Sequence, residues 1–168
     1  MNLYQAREEF IKAWGNLGSN WGINKTMAQI HALMLVAPRA LSAEEIMEEL
    51  NISRGNVNMN VRSLIDWGLV YKESIIGERK EYFIAEKDMW KVSTRIMQER
   101  RRRELEPIKR VLADLQNVKD GGTKEEIGDF VKTMKDIEKF SKNADKMMTR
   151  MVNAQESWFG DMVKKWST

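Results

Sequence analysis

Apolar residues recur every three or four positions along most of this chain, and that period breaks at only one central place. Leu3, Phe10, Ile11, Trp14 and Leu17 share a stripe that predicts a helix over residues 3 to about 20, with Gly15, Gly18 and Gly22 loosening its end. "NKTMAQIHALMLVA" predicts a second helix, capped by Asn24 and stopped before Pro38, because the residue preceding proline avoids helical angles. In "LSAEEIMEEL" the pair Ser42 and Glu45 forms a capping box, and Ile46 and Leu50 give the third helix its apolar edge. A fourth helix lies in "NISRGNVNMNVRSLIDWGLV", residues 51 to 70, where Val57, Val61, Leu64 and Ile65 share one side. After Gly68 the pattern becomes that of two strands, "LVYKESIIGERKEYFIAE", joined by a turn at Gly77-Glu78.

From Lys87 onward the helical period returns. "DMWKVSTRIMQERRRRELEPIKRVLADLQNV" predicts a long helix with a kink near Pro107, and "DGGT" breaks it, with Thr123 and Glu126 as a second capping box. In the last segment Ile127, Phe130, Met134, Ile137, Ser141, Ala144, Met148 and Met151 alternate at three and four residues, an a/d seam with one polar interruption. Such a seam serves either a helix folded back on its own chain or a dimer. The order of elements predicts a mainly α protein with a small β-hairpin wing. It would comprise a winged helix-turn-helix domain over residues 1–87 and a helical dimerisation region over 88–168.

The fourth helix carries the chemistry. Its outward side holds Gly55, Asn56, Met59, Arg62 and Ser63, with Asn58 and Asn60 on the flanks. Asn and Gly are weaker helix formers than Ala, Lys or Glu, so this composition sacrifices helix stability. Asn can pair with both donor and acceptor of an adenine edge, Arg can fork onto guanine, and Met can meet a thymine methyl. Ser53 as N-cap, followed by Arg54, leaves first-turn N–H groups available to a phosphate. A helix lying in a DNA major groove would use this set. At the tip of the hairpin, Arg79 and Lys80 are placed to meet phosphates or an adjacent minor groove. The bland alternative is a solvated face.

Composition narrows the classes. There is no cysteine, which excludes disulfides and thiol catalysis, and the longest apolar run, "ALMLVA", is far too short to span a bilayer. No signal-peptide pattern opens the chain, so a cytoplasmic location without membrane attachment is expected. The net charge of +3 is carried by the C-terminal half, so an anion-binding surface in the N-terminal half must be local. His31 is the single histidine, in an apolar helix, and is read as buried and hydrogen-bonded rather than as a metal ligand. No nucleophile or phosphate-loop motif appears, so a non-enzyme without cofactor is expected. "ERRRRELEP" is either a solvated helix or a set of phosphate contacts. Trp14, Trp21 and Trp90 are candidates for an aromatic pocket around a small-molecule effector, although such residues are more often core.

The strings "SRGNVNMNVRSLIDWGLVYK" and "GERKEYFIAEKDMWKV" resemble the GbsR-type branch of the MarR-like transcriptional regulators, over roughly Glu9 to Leu112. The resemblance implies a homodimer joined through N- and C-terminal helices that binds double-stranded operator DNA. It also implies that residues 53–66 form the recognition helix and 71–84 the wing, with Trp67-Gly68 closing the helix onto the sheet. Some members respond to quaternary ammonium compounds. The rival expectation is a winged-helix module that binds protein and has no specific DNA site.

Overall fold

The computed structural model of the protein describes residues 1–166, with side chains through Arg150 apart from Met148. It divides into two compact units, one ending at Ile96 and the other beginning at Met97.

The first unit is built around one helix. α2 (Lys25–Val36) buries Met27, Ala28, Ile30, His31, Ala32, Leu33 and Met34, so it is apolar on nearly every side and must be enclosed by other elements. α1 (Leu3–Asn20), α3 (Ala43–Leu50) and α4 (Arg54–Asp66) surround it. Asn24 caps α2 as expected, accepting from Met27 N at 3.1 Å. At its other end Lys87 Nζ donates to the carbonyls of Met34, Leu35 and Ala37 at 2.7, 2.6 and 3.1 Å. A cation there satisfies orphan carbonyls and opposes the negative end of the helix dipole. Partial burial lowers the pKa of this ammonium from its ordinary value.

The Ser42–Glu45 capping box is present, with the Glu45 N–H donating to Ser42 Oγ at 3.3 Å and the Ser42 N–H to Glu45 Oε2 at 2.7 Å. Ile46, Val57, Leu64 and Val70 are fully buried in the same core as Ile30 and Met34. Each such side chain contributes about 2 kcal/mol of apolar burial.

The hairpin forms from β2 (Val70–Glu73) and β3 (Tyr82–Ala85), antiparallel with Val70 opposite Ala85. A third strand was not expected. β1, only Leu41–Ser42, pairs with β3 and makes a three-stranded sheet in the order β1-β3-β2. Two residues are too few to show a strand period, and Ser42 also caps α3, which masks the signal.

The glycines near the end of α1 have a different role from the one expected. Gly15 and Gly18 are buried against α2, where a Cβ on Gly18 would lie 2.6 Å from the Cβ of Ala28. They let two helices approach closely, and they do not loosen α1.

The predicted long helix runs as α5 (Met89–Arg100), a single wide turn over Arg101–Leu105, and α6 (Glu106–Leu115). The division between units falls within α5. The wide turn has a local cause. Pro107 has no N–H for the carbonyl of Arg103, and its ring crowds that carbonyl; the Glu106 N–H instead reaches back five residues to Arg101.

α7 (Lys124–Trp166) packs on α6. Gln116 Nε2 donates to Glu138 at 3.3 Å and Lys109 Nζ to Asp145 at 2.6 Å, which fixes the side of α7 that faces α6. The expected seam is therefore split. Ile127, Met134 and Ser141 are buried or half-buried on that side, whereas Phe130 and Ile137 remain exposed, beside the more exposed Phe140 and Met147. Met148 and Met151 lie outside the described side chains.

Ala28 belongs to the buried helix and cannot swing away from an added methyl. Gly18→Ala is expected to destabilise the protein by about 2 kcal/mol in urea unfolding, overpacking outweighing the gain in helix propensity.

Candidate nucleic-acid interface

α4 is held from one side only. Val57, Asn60, Val61 and Leu64 are buried, and Ser53 caps the helix by accepting from Asn56 N at 3.3 Å. At its far end Gly68 takes the left-handed angle (φ 70°) that closes the helix and turns the chain into β2, with its N–H on Ile65 O at 2.8 Å. Arg95 of α5 donates to the carbonyl of Gly68 and sits over the Tyr71 ring at 5.6 Å, which ties this turn to the first strand of the wing.

The opposite side of α4 is open. Arg54, Gly55, Asn58, Met59 and Arg62 are exposed, and Met59 has 60% of its surface accessible although it is apolar. A Cβ on Gly55 would meet nothing within 4 Å, so no contact among the described residues requires glycine there. Among the described residues Arg62 has no carboxylate partner, whereas Arg54 is paired with Glu44 of α3 at 2.6 Å. Ser63 is half-buried and donates to Met59 O at 3.2 Å. Asn56 is half-buried at the edge of the face. Asn60, read as a flank residue, is turned fully inward and is 3% exposed. Glu44 and Asn60 had no signal in the pattern of the sequence, since one is an ordinary helix-surface acid and the other one of several asparagines.

The wing extends from the same unit. Its turn is at Ile76-Gly77, one residue earlier than expected, and Ile76, Arg79 and Lys80 are all exposed. Lys72 pairs with Glu81 at 2.5 Å across the strands below it.

Other candidates fare differently. The four arginines of "ERRRRELEP" all have acidic neighbours in the chain. Arg100 meets Glu104, Arg101 meets Asp145, and Arg102 and Arg103 meet Glu99. Two cations beside Asp145 lower its pKa to about 2, with the Arg101 hydrogen bond the larger cause.

Trp14 is packed, 5.5 Å from Phe10 and 6.2 Å from His31 between ring centres, whereas Trp21 and Trp90 are exposed. None of the three lines the 630 Å³ groove at the α6–α7 turn or the 300 Å³ groove between α1 and α2. The larger groove is lined by Ile127 and Val131 and by Lys119, Lys124, Lys132 and Lys135 against one acid, Asp136, a net positive lining unsuited to a cation.

His31 is buried, but its Nε2 has no hydrogen-bond partner, contrary to expectation, and no cluster of metal-ligating side chains occurs among the described residues. Burial, with the Lys87 ammonium adding to it, lowers its pKa to about 4.

The MarR family matches residues 21–80, the stretch that holds α2 through the wing. The chain is a MarR-like winged helix-turn-helix protein of the GbsR type. It is 30% identical over 118 residues to the HTH-type transcriptional repressor GbsR of Bacillus subtilis, covering 68% of this chain and 65% of that one. It is 28% identical over 76 residues to the HTH-type transcriptional regulator MmpR5 of Mycobacterium tuberculosis, covering 45% and 46%. The matched region thus spans less than two thirds of either relative. A crystal structure of a transcriptional regulator shares the fold, with a TM-score of 0.69 at 15% identity over 90% of this chain and 99% of that one.

The imidazole of His31 yields a pH signature in this MarR-like protein. Its folded pKa lies below the unfolded value of 6.5, so the unfolded chain binds the extra proton first. Stability is therefore complete above pH 6.5 and falls as the pH drops from 6.5 through about 4, by up to about 3 kcal/mol. His31→Phe is expected to flatten that part of the profile in urea titrations at stepped pH.

Proposed function

We propose that this protein is a sequence-specific DNA-binding transcriptional regulator that works as a homodimer and represses the genes next to its operator. The outer face of α4 carries this reading. It presents Gly55, Asn58, Met59 and Arg62 to solvent on a helix immobilised from behind, and among the described residues no ion pair engages Arg62 and no side chain crowds Gly55. Such side chains match base edges and the thymine methyl in a major groove, and the Ser53-capped first turn suits a backbone phosphate. Arg79 and Lys80 on the wing would rest on flanking phosphates or in the minor groove.

Dimerisation is supported by apolar side chains that the single chain leaves exposed. Leu3, Tyr4 and Leu17 lie on α1, Ile108 and Val111 on α6, and Phe130, Ile137, Phe140 and Met147 on α7. Apolar side chains left exposed on a helix face mark interaction sites. Two recognition helices related by a two-fold axis would read a pseudo-palindrome. The named function of the relatives, repression or regulation, agrees with this assignment. Whether a small molecule releases the DNA would be decided by adding quaternary ammonium compounds and amphipathic anions to the same binding assay.

Fluorescence anisotropy with DNA from upstream of its own gene, against scrambled DNA at several salt concentrations, tests the reading. Preferential binding that weakens steeply with salt is the expected result. Equal, weak binding to both DNAs would overturn it in favour of a protein-binding module. Arg62→Ala is expected to weaken operator binding about tenfold without changing urea stability. Gly55→Ala is expected to raise stability by about 0.5 kcal/mol and still weaken DNA binding, because its added methyl meets only the bound DNA.

A further inference from the structure

Asn60 looks out of place in the core. It is buried between Val57, Val61 and Leu64, where an aliphatic side chain would contribute more apolar burial. Its amide explains its presence. Asn60 Nδ2 lies 2.8 Å from the backbone oxygen of Asn56 and 2.6 Å from Asn56 Oδ1. A backbone carbonyl only accepts, so the Asn60 group beside it has to be the NH₂. The second hydrogen of that NH₂ meets the Asn56 side chain, and the atom facing it has to be an acceptor. Two contacts therefore fix both amides: Asn56 turns Oδ1 inward to Asn60, and its own NH₂ is left for the outer face.

This orientation changes what Asn56 can read. A free asparagine in a major groove takes adenine by two bonds, accepting from N6–H and donating to N7. With Oδ1 directed inward, the outward edge of Asn56 is a donor alone. A donor suits the keto bases, guanine through O6 and N7 and thymine through O4; adenine keeps one acceptor at N7 but loses the second bond, because its amino group, like that of cytosine, finds no partner. We propose that Asn60 is a positioning residue that sets base preference without touching DNA. It locks the Asn56 amide so that this position loses the two-bond contact to adenine and favours guanine or thymine over it. The inference rests on the DNA-binding function proposed above and names one determinant of its specificity.

The test is selection from randomised DNA followed by binding measurements on single base-pair variants, for the full-length protein, Asn56→Ala and Asn60→Ala. The position read by Asn56 is the one whose preference disappears in Asn56→Ala, and a keto base is expected there in the unaltered protein. In Asn60→Ala the Asn56 amide is free to turn, and adenine at that position is expected to gain about tenfold relative to the keto base. A loss of packing alone would weaken binding to all sequences equally and leave the preference unchanged.

Adenine preferred by the unaltered protein, no position lost in Asn56→Ala, or an unchanged preference in a folded Asn60→Ala would each overturn the inference while leaving DNA binding intact. If Asn60→Ala fails to fold, the comparison of the unaltered protein with Asn56→Ala decides alone. Absence of any DNA preference in the unaltered protein would instead remove the functional reading beneath it.

Discussion

The structure depends on the burial of one side of α4 against α2. Val57, Val61 and Leu64 are held there at 3% exposure or less, and the helix gains its stability from that contact and not from its composition. Because tertiary packing holds it, the outer face is free to carry Gly55 and Asn58, residues a free helix would tolerate poorly. α2 itself is kept in place by close approach to α1 at Gly18 and by Lys87 at its carboxyl end. A failure at either point would disorder the outer face of α4 without touching a residue on it.

Most of the helical layout was legible because the caps are local. Asn24, Ser42 with Glu45, and Ser53 each bond the backbone three residues on, so the sequence marks those starts without tertiary information. What was missed depends on neighbours far along the chain. β1 exists only because β3 passes beside Leu41, and the buried role of Gly18 appears only once Ala28 is opposite it. The helical wheel put Asn60 on a flank; its amide can lie inside only because Asn56 accepts from it. That His31 Nε2 has no partner among the described residues was equally invisible, since an apolar run says how buried a histidine is and nothing about its bonds.

Charge distribution explains another part of the design. The densest positive run, Arg100 to Arg103, is matched by Glu99, Glu104 and Asp145, so it contributes little free field. Arg62, with no carboxylate partner among the described residues, retains its full field on the face of α4. Arg54 is intermediate, since Glu44 competes for it with any phosphate. In this near-neutral unit, counterion release would come from few cations, and discrimination would rest mainly on neutral side chains. On α7, the split seam shows how one helix serves two surfaces: Ile127, Met134 and Ser141 pack on α6, whereas Phe130 and Ile137 stay open.

The proposed function requires the outer face of α4 to meet base edges. A photo-crosslinking amino acid placed at position 59, the most exposed apolar point of that face, tests it directly. On irradiation with DNA from upstream of its own gene, crosslinks to bases within one half-site are expected, abolished by competing unlabelled operator. A stable protein–DNA complex in which position 59 leaves the DNA unmarked would contradict it.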